Sequence, residues 1–124
     1  MRLHFLIVGV LFLTSLACTK KGGVWQHYRI SALDEAIDRN MSIALHFYDS
    51  SCADQKKALE KVIENEVFKP VGAYRVQMGS EKALEKELHI QSPCTLVVFK
   101  GAEERGRSKE NDPERLRLIL GQSL

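Results

Sequence analysis

Cys52 is the residue in this chain best placed to do chemistry. It follows an apolar run, Ile43 to Tyr48, and a polar break, Asp49-Ser50-Ser51, and it opens a helical pattern that continues to Asn65. A thiolate, not a thiol, attacks a disulfide. At a helix start, unpaired backbone N–H groups and the positive end of the dipole favour that thiolate. Asp54, in the first turn, opposes it. His46, six residues before Cys52, would act as cation or proton acceptor if its ring reached the sulfur. The alternative, and the reading adopted, is a core histidine bonded to a backbone carbonyl. A second thiol three residues after Cys52 would lie one turn along the same helix face; that position holds Gln55. The other cysteines of the chain are Cys18 and Cys94.

Cys18 belongs to a different context. Arg2 gives a positive start, Leu3 to Leu16 is almost wholly apolar, and Ala17-Cys18 closes the run. This pattern is that of a secretory signal, too short for an ordinary membrane span. With a cysteine at its boundary it resembles the lipobox of bacterial lipoproteins, although Ser15 and Leu16 depart from the usual residues there. The resemblance implies a signal peptide over 1–18, lipidation of Cys18, a short tether over 19–23 and a domain over 24–124. It places the chain in the bacterial cell envelope, anchored by lipid and facing the periplasm. Thr19 after Cys18 carries no inner-membrane retention signal, which tilts the expectation toward the outer membrane. Cys52 and Cys94 then remain as an even pair in an oxidising compartment.

The elements that must position these residues follow from periodicity. About a hundred residues suffice for one core. A net charge of +2 with mixed signs argues against nucleic acid as partner. Val24 to Tyr28 reads as a short edge strand, with Trp25 and Tyr28 as packing residues. Ser31 is a good N-cap for a helix whose face is Leu33, Ala36 and Ile37. Ile43 to Tyr48, apolar on both faces, reads as a central covered strand. The next helix carries Ala58, Leu59, Val62 and Ile63 at core spacing, and Ser51 with Asp54 is spaced like a capping box that would start it at Cys52. A strand over 73–78, a helix capped by Ser80, a strand over 95–99, a turn at Gly101, an edge strand over 103–107 and a helix opened by Asp112-Pro113 complete the order. Alternation followed by a hairpin and a closing helix means a mixed sheet with helices on both faces.

That order resembles the thioredoxin fold, especially its periplasmic members. Trp25-x-x-Tyr28, the segment ALDEAIDRNMSIALHFYDSSC, VFKPVGAYRVQM and LHIQSPCTLVVFKGAEERG carry the likeness over roughly Trp25 to Leu120. The fold expected is therefore α/β, a thioredoxin-like central mixed β-sheet with helices on both faces. The motif is degenerate. The family's W-C-x-x-C reads S-C-A-D-Q here: Ser51 takes the tryptophan position, Cys52 the attacking cysteine and Gln55 the resolving one. His46 stands where thioredoxins bury an aspartate. Cys94 falls at the position of the cis-proline facing the active site, with Pro93 one residue early.

The resemblance implies thiol–disulfide exchange with protein thiols or disulfides, with Cys52 as nucleophile and Cys94 as candidate resolver. Ser92 and Pro93 would shape a loop that holds an extended peptide by backbone pairing. Three states are open to the two cysteines: a redox-active pair, a structural bridge, or two free thiols. The alternative function is a non-catalytic binding module in an envelope complex. Cys52, Cys94 and His46 are donors suited to copper or zinc, but no second ligand pair stands at metal spacing and the C-x-x-x-C of the family's copper carriers is missing, so neither metal nor cofactor is expected.

Overall fold

Strand β2 (Ser42–Tyr48) decides the architecture. Ser42 to Phe47 are all buried, and a run buried on both faces must lie inside a sheet with layers above and below. A computed structural model describes residues 22–124; the proposed signal segment, Cys18 and residues 19–21 lie outside them. In chain order the remaining elements are β1 (Trp25–His27), α1 (Ala32–Asp38), α2 (Ala53–Ile63), β3 (Gly72–Gln77), α3 (Lys82–Glu87), β4 (Thr95–Lys100), β5 (Glu103–Ser108) and α4 (Pro113–Gly121), with 3₁₀ turns at Ser50–Cys52 and Glu66–Phe68.

The sheet order is β1-β3-β2-β4-β5. β2 pairs parallel to β3, His46 opposite Arg75, and antiparallel to β4, His46 opposite Leu96. β1 is the short edge strand expected around Trp25, and it pairs parallel to β3. The hairpin β4–β5 supplies the other edge, and Gly101 takes the positive φ of 58° that its turn requires. This is the thioredoxin-like mixed sheet expected from the sequence.

Alternate side chains of β2 feed two cores. Ile43, Leu45 and Phe47 pack with Leu33 and Ala36 of α1, Val76 and Val97, with Leu84 and Leu88 at the margin. Ala44 packs on the opposite side with Leu59 and Ile63 of α2, Leu116 and Leu120 of α4, and Trp25. Trp25 is a core residue, its indole N–H donating to the Leu59 carbonyl at 3.0 Å.

Some local expectations fail for identifiable reasons. Ser31 does not cap α1; its backbone is already helical, and its hydroxyl accepts from the Arg29 guanidinium. Ser80 does not cap α3; its hydroxyl donates back to the Gln77 carbonyl at 2.6 Å, and the helix begins two residues later. Ile37, expected on the buried face of α1, is 41% exposed.

Candidate functional site

The site forms where β2 hands over to α2. Tyr48 ends the strand, and Asp49 is still extended. Its carboxylate accepts the Ser51 N–H at 2.8 Å and also the Ser51 hydroxyl. Its carbonyl accepts the Cys52 N–H at 3.1 Å. These bonds close the 3₁₀ turn Ser50–Cys52, and α2 starts at Ala53 with Cys52 in its cap position. The expected Ser51–Asp54 capping box does not form, because Asp49 captures Ser51 first. Among the described residues no side chain caps α2 itself.

Cys52 is bonded to Cys94, 42 residues on, with Cα atoms 5.3 Å apart, inside the range a disulfide needs. Cys94 closes the loop before β4. Among the described residues no peptide bond is cis, so Ser92–Pro93 is trans, and Cys94 adopts a φ of 62°. That left-handed conformation is uncommon for a residue with a Cβ, so the loop is held by its surroundings. The Thr95 hydroxyl donates to the Ser92 carbonyl at 2.9 Å, and Lys109 reaches the Ser92 hydroxyl. Pro93 and Ser92 are half-buried beside the cysteine.

Gln55, in the position expected for a resolving cysteine, is 1% exposed. Its amide N–H₂ donates to the Cys94 and Glu110 carbonyls, each at 3.0 Å. Both donors are thereby committed, so its oxygen faces His46 Nε2 at 2.7 Å. Nε2 must carry the proton and donate, which leaves Nδ1 as the lone-pair nitrogen. Nδ1 is buried with no hydrogen-bond partner among the described residues; Trp25 and Tyr48 flank the ring, each with its centroid 6.0 Å away. Burial, above all, pushes the His46 pKa down to about 4, against the Gln55 bond, which raises it. His46 is thus a core histidine as expected, but its partner is the Gln55 side chain rather than a backbone carbonyl.

The sulfurs have unequal surroundings. The Asp49 N–H points at Cys52 Sγ at 3.5 Å, and an Asp49 carboxylate oxygen lies 3.6 Å from the same sulfur. The Ser51 hydroxyl and, after it, the Ser51 N–H hold that carboxyl below its ordinary pKa, so it stays anionic. Ser51 Oγ stands 3.9 Å from Cys52 Sγ and 3.8 Å from Cys94 Sγ. Asp49, Cys52 and Cys94 offer ligand atoms within 4.8 Å of one another, a cluster that does not include His46. Sulfurs joined in a disulfide are not thiolate ligands. Sequence reasoning brought Cys52, Cys94, Ser51, Gln55, His46, Ser92 and Pro93 to one place. It missed Asp49, although Asp two residues before Ser51 is an Asx-turn signal. It missed Glu110, which contributes only a backbone carbonyl and so leaves no side-chain signal.

No family model and no curated protein matches the chain. Solved structures do. Trxlp of Edwardsiella tarda is 20% identical with a TM-score of 0.71, covering 79% of this chain and 98% of that one. The thioredoxin of Malassezia sympodialis is 18% identical with a TM-score of 0.72, covering 85% and 94%. Thioredoxin O2 of Arabidopsis thaliana, in its oxidised state, is 20% identical with a TM-score of 0.65, covering 84% and 96%. At these identities the likeness establishes the fold, which is thioredoxin-like. A Cys52–Cys94 disulfide on that fold is compatible with thiol–disulfide exchange.

Proposed function

We propose that this protein exchanges thiols and disulfides with protein substrates in the bacterial envelope, held to the membrane by lipid on Cys18. The observation that carries the reading is the Cys52–Cys94 bond itself. It joins the start of α2 to the loop before β4, so the partner missing at Gln55 stands in the facing loop instead. One cysteine of the couple takes the bond to a substrate sulfur and the other resolves it. The helix start favours thiolate at Cys52, the Asp49 N–H adds to that, and the Asp49 carboxylate opposes it. The oxidising compartment expected from the signal segment suits such a couple. Replacing either Cys52 or Cys94 by Ser abolishes turnover in a dithiol–disulfide exchange assay; undiminished turnover in either variant contradicts the reading.

A second reading rests on Gln55. The resolving position is spent on a buried hydrogen-bond hub, as expected of a non-catalytic binding module in an envelope complex. Under that reading Cys52→Ser leaves partner capture unchanged, and loss of capture in that variant argues against it.

A further inference from the structure

Resemblance to thioredoxins makes Cys52 the sulfur that meets the substrate. The surroundings of the disulfide argue for the reverse. Cys52 is 2% exposed, whereas Cys94 is half-buried on the loop before β4. We infer that Cys94 is the sulfur that bonds to the substrate, and that Cys52 is the inner sulfur, which leaves when the protein oxidises and resolves when it reduces. This inference rests on the exchange reading above and deepens it.

Attack on a disulfide places the incoming sulfur, the attacked sulfur and the leaving sulfur roughly in line, so access from the far side of the attacked atom decides which one reacts. Beside Cys52 lie the Asp49 N–H and carboxylate at 3.5 and 3.6 Å. The carboxylate repels an incoming thiolate, and Cys52, at 2% exposure, offers one almost no open surface. Cys94 is half-buried on its loop. Its carbonyl is drawn inward by Gln55, and its backbone is turned into the left-handed region. Gln55 is therefore a positioning residue that keeps Cys94 in place whether or not the disulfide is formed.

The leaving group also favours this order. Attack at Cys94 expels Cys52, at the start of an 11-residue helix, where the helix dipole and the Asp49 N–H support the developing thiolate against the nearby Asp49 carboxylate. Attack at Cys52 would expel Cys94, which has no helix behind it.

The electron balance is straightforward. When the protein acts as oxidant, a substrate thiolate bonds to Cys94 Sγ, the Cys52–Cys94 bond breaks, and Cys52 departs with the electron pair. A second substrate thiolate then attacks the substrate sulfur of the mixed disulfide and expels Cys94. The substrate dithiol loses two electrons, the protein pair gains them, and the thiol protons pass to solvent or to the released thiolates. Acting as reductant, the protein runs the same steps backward, with Cys94 attacking and Cys52 resolving.

The test uses the full-length protein in detergent. Cys52→Ser and Cys94→Ser, each reduced, are mixed with glutathione disulfide, and the adduct is located by peptide mass so that Cys18 is counted separately. The expected result is adduct formation at Cys94 in Cys52→Ser about tenfold or more faster than at Cys52 in Cys94→Ser. Reduced wild-type protein, given limiting iodoacetamide, provides a readout free of any folding defect in the variants, and Cys94 is alkylated first. Equal rates, or Cys52 faster in either experiment, overturn the assignment while leaving exchange intact. Failure of both sulfurs to form an adduct overturns the assignment and the exchange reading together.

Discussion

The two faces of strand β2 differ in kind. On one, Ile43, Leu45 and Phe47 enter an apolar core under α1, with Thr95, opposite Phe47, as a buried polar residue at its end. On the other, Ala44 lies between two buried polar side chains, Ser42 and His46, each tied to a distant part of the chain. Ser42 donates to the Ser123 carbonyl at 2.6 Å, and His46 bonds Gln55. The apolar face holds the fold together mainly by area and packing. The polar face fixes where particular segments sit, because a buried polar group left unpaired costs more than its bond contributes. The disulfide lies at the end of the second face, and its loop is bound into that network through Gln55.

The contrast predicts which substitutions damage the fold and which damage the site. Phe47→Ala, at a position with no exposure, costs about 3–5 kcal/mol in denaturant unfolding, with the thiol–disulfide equilibrium of Cys52 and Cys94 unchanged. A shift in that equilibrium as large as the shift in unfolding would show that the faces are not separable. Reduction of the disulfide acts from the other side. It releases a loop of 42 residues and lowers stability by about 4 kcal/mol on the chain-entropy account. Paired unfolding curves of oxidised and reduced protein measure it.

The polar face is also sensitive to pH. In the unfolded chain the His46 imidazole titrates near 6.5, and in the folded protein at about 4. Above pH 6.5 both states hold it neutral and it adds no slope. Between pH 6.5 and 4 the unfolded chain takes up a proton that the folded protein refuses, so stability falls with pH. The total loss is about 3 kcal/mol, complete once both states are charged below pH 4. His46→Leu removes this part of the slope, and an unchanged slope in that variant would place its origin elsewhere. The smallest effect is expected of Gln55→Leu, at about 1–3 kcal/mol for the unpaired His46 nitrogen, the Cys94 and Glu110 carbonyls being near enough to solvent for water to replace the amide. Unlike Phe47→Ala, it weakens the Cys52–Cys94 bond against glutathione, because Cys94 is no longer held in place once reduced.

The fold was legible because its signals are periodic and local. IALHFY reads as a covered strand, and Ala58, Leu59, Val62 and Ile63 as a buried helix face, without knowledge of what covers them. The caps were less legible. Ser31, Ser51 and Ser80 each have a nearer polar partner, Arg29, Asp49 and Gln77, that competes for the hydroxyl. The site was legible as a set of residues but not as a network. Gln55 was recognisable as the residue in place of a cysteine, yet its bonds reach β2, the Cys94 loop and the Glu110 backbone, contacts that only the tertiary structure creates. The same holds for the unequal burial of the two sulfurs, which no spacing in the sequence encodes.

The central claim is that Cys52 and Cys94 are a working redox couple. Equilibrating the full-length protein across glutathione buffers, then trapping and counting free Cys52 and Cys94 by mass, tests it most directly. The account predicts a bond that forms and breaks between about −120 and −270 mV, the span of dithiol oxidoreductases. A bond that persists below about −300 mV would make it a structural staple, and two thiols that never pair would leave the fold without the chemistry proposed for it.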